Sequence, residues 1–231
     1  DEEDLRGFGW YYLWNVCRGQ AVRAVPGEGM VEVAFAPDGR TFATGGSNGM
    51  IRIWDRESLM QKNELPVDPN PLDQYRSLDL LYSPAGDVLA GLSRERCQDE
   101  SGRVVLFDVG SGDSWPLAHG APDNVVQIAF KEDGNTLITA ERDGHIRLWN
   151  TSTGQPIGKP RQLNKGATWR RAAFSSDLRL LAAGGPKSTL EPPQANPLRD
   201  VLLTVYDLET GDPVSEFQTD QSILGKLQFT Q

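Results

Sequence analysis

Residues 33–55 read VAFAPDGRTFATGGSNGMIRIWD, and residues 128–150 read IAFKEDGNTLITAERDGHIRLWN. In both, a short apolar run ends on an aromatic (Phe35, Phe130) and a turn carrying Asp-Gly follows. A second β-prone run (Thr41 to Thr44, Thr136 to Thr139) comes next, and a polar stretch ends on glycine. A third run then ends on tryptophan (Trp54, Trp149), 19 residues beyond the first aromatic in each case. β-Branched and aromatic residues in short runs, punctuated by Gly, Pro, Asn and Asp, spell strands joined by tight turns. Two copies at one spacing spell a repeat.

The repeat extends along the chain. First aromatics recur in Leu80-Leu-Tyr-Ser-Pro84, Ala172-Ala-Phe-Ser-Ser176 and Leu227-Gln-Phe229. Second aromatics close Gly9 to Trp14, Gly49 to Trp54, Gly102 to Phe107, Gly144 to Trp149 and the degenerate Val201 to Tyr206. Each is followed by Asn or Asp (Asn15, Asp55, Asp108, Asn150, Asp207), whose short side chain bonds backbone N–H groups in the next turn. A weaker strand follows each, at about 60 to 65, 156 to 163 and 213 to 218. Units of roughly 40 to 50 residues with four strands each, here named a to d, are propeller blades.

The bulk composition narrows the function classes. The chain has 231 residues, 38% of them hydrophobic, enough to bury a substantial core and to read as soluble and globular. There is no apolar run long enough for a membrane span. A net charge of −9 without a lysine/arginine cluster argues against binding nucleic-acid phosphates. Cys17 and Cys97 lie far apart with no metal-ligand spacing, and a cytoplasmic, reducing compartment is the default expectation. No GxSxG, HExxH, phosphate-cradling loop or EF-hand spacing occurs, and His119 and His145 are the only histidines. Neither catalytic residues, nor a metal, nor a cofactor is expected.

The quoted stretches resemble the WD-repeat β-propeller family, and HIRLWNTSTGQPIGKP, residues 145–160, resembles its bacterial members, as found in multidomain signalling proteins. The resemblance implies an all-β fold of four complete four-stranded blades plus partial blades at both ends. The expected divisions are 1–30 (strands c and d of a partial blade), 31–74, 75–124 with a b–c insertion, 125–167, 168–222 with a long b–c insertion, and 223–231 (the first strand of a further blade). The family often ties a blade together with four polar groups. For the third unit the resemblance implies Trp149, Thr139, Asp143 and His119; elsewhere Phe107 and Tyr206 lack the indole N–H, so those blades rest more on packing.

Extra residues lie in three connections: 93–101, 186–200 and the loop 66–74. Because direction reverses at each strand, b–c and d–a connections emerge on one face of the disc and a–b and c–d turns on the other. All three long loops therefore share a face, and elaborated loops on a rigid scaffold tend to carry function. Three residues before each first aromatic stand Glu32, Asp79, Gln127, Arg171 and Lys226, a polar series expected to line the central channel or its rim. Trp169-Arg170-Arg171 adds an aromatic and two guanidinium groups, the chemistry of binding hot spots. These seven residues are the candidate partner-binding set. The alternative has Arg171 paired with an acid and Trp169 packed between blades.

The expected function is a non-catalytic protein–protein interaction scaffold that presents the loop-rich face to a protein or peptide, without nucleic acid or membrane insertion. The second reading is the regulatory or sensor propeller of a larger signalling protein, fused to a serine/threonine kinase or nucleotide switch; an axial-channel enzyme and an inert spacer rank below it. Counting strands gives about nineteen, with no strand b to join the terminal strands. The expectation is an internal piece of a longer, seven-bladed propeller, partnered by the remaining blades of its parent chain.

Overall fold

A computed structural model describes residues 25, 30–46, 48–66, 75–95, 102–118, 124–166, 168–186 and 200–220. Among them there are strands and turns but no helices. In the first blade, β1 (Met30–Phe35), β2 (Thr41–Gly46), β3 (Met50–Asp55) and β4 (Gln61–Pro66) form one antiparallel sheet in chain order. The second blade follows the same plan with β5 (Tyr75–Tyr82), β6 (Val88–Glu95), β7 (Gly102–Asp108) and β8 (Ser114–Pro116). The third is β9 (Val125–Phe130), β10 (Thr136–Glu141), β11 (His145–Asn150) and β12 (Arg161–Gln162). The fourth is β13 (Arg171–Phe174), β14 (Leu180–Pro186), β15 (Asp200–Asp207) and β16 (Pro213–Asp220). A single pairing, Gly102 with Val125, links the second and third sheets. The partial blades expected over 1–30 and 223–231 lie outside the described residues, apart from Val25 and Met30, as do most residues of the three long loops.

Turn chemistry repeats with the strands. Between strands a and b, Gly39, Gly86 and Gly134 adopt positive φ and return their N–H groups to Ala36, Ser83 and Lys131. Leu178 occupies that place in the fourth blade at φ 55°. Between c and d, Gly112, Gly154 and Gly211 close the turns, and Leu59 at φ 56° stands in the first blade. The left-handed region disfavours a residue with a Cβ, so both leucines are held there by the surrounding hairpins. The outer strand of the third blade is shorter than the sequence suggests. Pro156 and Pro160 lack N–H donors and Gly158 turns at φ 73°, so ladder pairing in strand β12 is confined to Arg161 and Gln162, with an isolated bridge from Pro156 to Trp149.

The core lies between blades. Ile51, Ile53 and Leu65 of the first blade pack with Leu78, Leu80, Leu89 and Phe107 of the second. Leu92, Val104 and Leu106 meet Ile128, Leu137 and Trp149 across the next seam, and Ile138 and Ile146 meet Trp169, Leu181 and Tyr206 across the third. The seams make the burial of each first aromatic depend on a neighbour. Tyr82 and Phe130 are 6% and 9% exposed, whereas Phe35, with no preceding blade among the described residues, is 65% exposed. The inner strands adjoin, β1 against β5 and β9 against β13.

Candidate functional site

Two blades carry the same buried polar tie. Trp54 donates its indole N–H to the Thr44 hydroxyl at 2.8 Å, and Trp149 donates to Thr139 at 3.0 Å. Strand register explains where the tie is missing. The residues matching Thr44 and Thr139 are Gly91, opposite Val105 beside Phe107, and Ala183, opposite Thr204 beside Tyr206. Where the ring has no indole N–H, its neighbour has no hydroxyl. A Cβ on Gly91 would sit 3.4 Å from the Phe107 ring and 3.3 Å from Ile51, so the site leaves little room for a larger side chain. Tyr206 instead accepts a hydrogen bond from Asn164 on its phenol oxygen, at 3.0 Å.

The partner-binding candidates divide. Glu32, Asp79, Gln127 and Arg171 all lie half-buried on the inner strands, in register with Gly45, Leu92, Ala140 and Gly184. Glu32, Asp79 and Arg171 are each engaged by neighbours, and Arg171 donates to the Arg170 carbonyl at 2.9 Å. Arg170 is exposed. Trp169 is 4% exposed and packs on Tyr206 at 5.6 Å between ring centroids. That places it within the third seam, the packing alternative left open by the sequence. Lys226 and His119 lie outside the described residues.

Sequence reasoning passed over a second polar cluster at the loop-bearing end of the third blade. Strand β10 ends on Glu141, strand β11 begins on His145, and a tight turn joins them, closed by the Gly144 N–H on the Glu141 carbonyl at 3.0 Å. Glu141 is 0% exposed. Its Oε1 lies 2.7 Å from Arg147 Nε as an ion pair outside hydrogen-bond angles, and its Oε2 has no hydrogen-bond partner among the described residues. Burial pushes the Glu141 carboxyl up to about 7, against the opposing pull of Arg147. Asp143 Oδ2 stands 3.0 Å from His145 Nδ1. The available signal was Glu-x-Asp-x-His across a two-strand turn, a spacing that brings three ligating side chains to one end of a hairpin.

Residues 19–55 and 116–150 match the family described as WD domain, G-beta repeat. The chain is 27% identical over 63% of its length to apoptotic protease-activating factor 1 of Mus musculus, covering 14% of that protein. It is 28% identical over 90% of its length to a coronin-like protein of Saccharomyces cerevisiae, covering 35% of it, and 25% identical over 84% to coronin-7 of Pongo abelii, covering 20%. The chain therefore spans between about a seventh and a third of the length of these three curated relatives. The matched repeats and the antiparallel sheets together give it the architecture of a WD-repeat β-propeller. Such repeats are in general protein-interaction scaffolds. No helix among the described residues is long and apolar enough to cross a membrane.

Proposed function

We propose that this chain is a non-catalytic scaffold that binds a protein or peptide on the face from which its long connections emerge. The observation that carries the reading is the asymmetry of the disc. The b–c and d–a connections after Pro66, Glu95 and Pro186 are the long ones, whereas the described turns after Phe35, Tyr82, Phe130, Phe174 and the c strands are all tight. A rigid layer of interlocked seams supports those loops, an arrangement suited to presenting a surface rather than to moving a substrate. Exposed Arg170 and the half-buried series Glu32, Asp79, Gln127 and Arg171 lie toward the inner edge of this scaffold, with Lys226 as the proposed continuation. Trp169 serves as the buried support behind Arg170.

The test is affinity capture of binding partners by the full chain, by a variant lacking residues 187–199, and by Arg170→Ala, with unfolding curves to show that each variant is folded. Loss of one or more partners from the folded variants supports the proposal. An identical partner set on all three would overturn it.

A second reading makes the propeller the regulatory part of a larger signalling chain. The small share of each relative that the chain covers favours it, as does similarity to a protein named as a protease-activating factor. A cytoplasmic location, kinship with bacterial multidomain proteins and a kinase or nucleotide-switch fusion belong to this reading. So do additional blades in the parent chain.

A further inference from the structure

We infer that Glu141, Asp143 and His145 form a site for a divalent transition-metal cation of the zinc type. Each residue offers one ligand atom, and the three atoms lie within 4.8 Å of one another. Two carboxylates and an imidazole are a donor set suited to such a cation, which leaves a coordination position for water or a partner's side chain. At metal–ligand distances of about 2.0–2.2 Å, tetrahedral ligands stand roughly 3.4 Å apart. Asp143 and His145 already approach that separation at 3.0 Å, and rotamer adjustment on the hairpin closes the remainder.

Two further observations point to a ligand. Glu141 is fully buried, yet its Oε2 meets no hydrogen-bond donor among the described residues, and the buried Nδ1 atom of half-buried His145 has Asp143 Oδ2 at 3.0 Å but no hydrogen bond in good geometry. Buried polar atoms are normally satisfied, and a cation between them satisfies both. Arg147 then takes the role usual for an outer-shell group, holding the other carboxylate oxygen and fixing its orientation. The repeat itself does not demand an acid at the Glu141 position. In the first blade the same three positions are Gly46, Asn48 and Met50, and that hairpin closes in the same register. The cluster is therefore a property of the third blade, at the end of the disc that bears the long loops.

The experiment is calorimetric titration of zinc chloride into the tag-free full chain, repeated with His145→Ala, Asp143→Asn and Glu141→Gln. A Cys17→Ser/Cys97→Ser double variant serves as the control. Metal-free unfolding curves establish that each variant folds. The expected result is one saturable site in the parent chain and in the control, weakened roughly ten- to a hundred-fold in each of the three ligand variants. Zinc should raise the unfolding midpoint of the parent and leave that of His145→Ala unmoved. Absence of a saturable site overturns the inference. So does binding that survives the folded His145→Ala and Asp143→Asn variants, or binding lost with the cysteines.

Discussion

The indole N–H of Trp115 donates to the backbone carbonyl of Thr151 across 3.0 Å, joining the outer strand of the second blade to the c–d turn of the third. The same junction recurs with other chemistry. Asn63 donates to the Val109 carbonyl at 3.3 Å, and Arg161 donates to the Leu208 and Glu209 carbonyls at 2.8 Å. Val109, Thr151 and Leu208 each stand two residues after the blade's second aromatic. Every described seam thus carries a side-chain staple at an equivalent carbonyl, whatever residue supplies the donor.

Removing the donor while keeping an apolar ring isolates the staple. Trp115→Phe should cost about 1 kcal/mol by denaturant unfolding, the net worth of an ordinary hydrogen bond together with some lost packing. Gly154→Ala should cost more, about 2 kcal/mol or above. Its Cβ would lie 2.7 Å from the Pro116 carbonyl oxygen, on a residue held at φ 65°.

The matching of ring and partner inside each blade predicts non-additivity. Thr139→Val leaves the Trp149 N–H buried without an acceptor and should cost about 1–3 kcal/mol. In a Trp149→Phe background the same substitution should cost markedly less, since no donor remains to be orphaned. A double-mutant cycle by chemical denaturation measures the difference.

Much of this was readable beforehand because the repeat is registered. Two spacings of 19 residues between Phe35 and Trp54 and between Phe130 and Trp149 are enough to phase the remaining strands and to place their tight turns. Single side chains were less legible. Trp169 beside two arginines reads equally as a binding hot spot or as packing between blades, and only the fold shows it in the seam against Tyr206. Glu141 reads as a solvated strand end, because nothing local reveals that it is fully buried and ion-paired with Arg147. Leu59 and Leu178 give no hint of left-handed geometry, which the hairpin around them imposes.

Those two leucines respond differently to glycine. Leu59 is half-buried and belongs to none of the described core clusters, so Leu59→Gly relieves the left-handed backbone at little loss of core packing and should stabilise by about 0.5–1 kcal/mol. Leu178 packs against the third seam, and Leu178→Gly should be neutral or destabilising. Thermal unfolding of the two variants side by side checks the contrast.

Acid stability follows from the turn aspartates. Backbone N–H donation from Ser58 holds Asp55 near 2, below its ordinary 3.8. Asp108 and Asp207 are lowered chiefly by the N–H groups of Ser111 and Thr210, and Asp177 by the Ser175 hydroxyl. A carboxylate held below its unfolded value lends stability that is fully present above about pH 4 and lost as pH falls through the folded values toward 2. Stability should therefore decline across that window, and Asp55→Asn, which keeps an acceptor but not the charge, should flatten the decline. Unfolding free energy measured from pH 5 to pH 2 tests both.

The account turns on which face of the disc meets a partner. Hydrogen exchange of the chain with and without a captured partner measures this directly. Slowed exchange around the loop-bearing strand ends, at Glu95, Gly102, Arg170 and Arg171, with the turns at Gly39, Gly86, Gly134 and Gly154 unchanged, is the result predicted. Protection confined to those tight turns, with the loop-bearing ends exchanging as before, would contradict it.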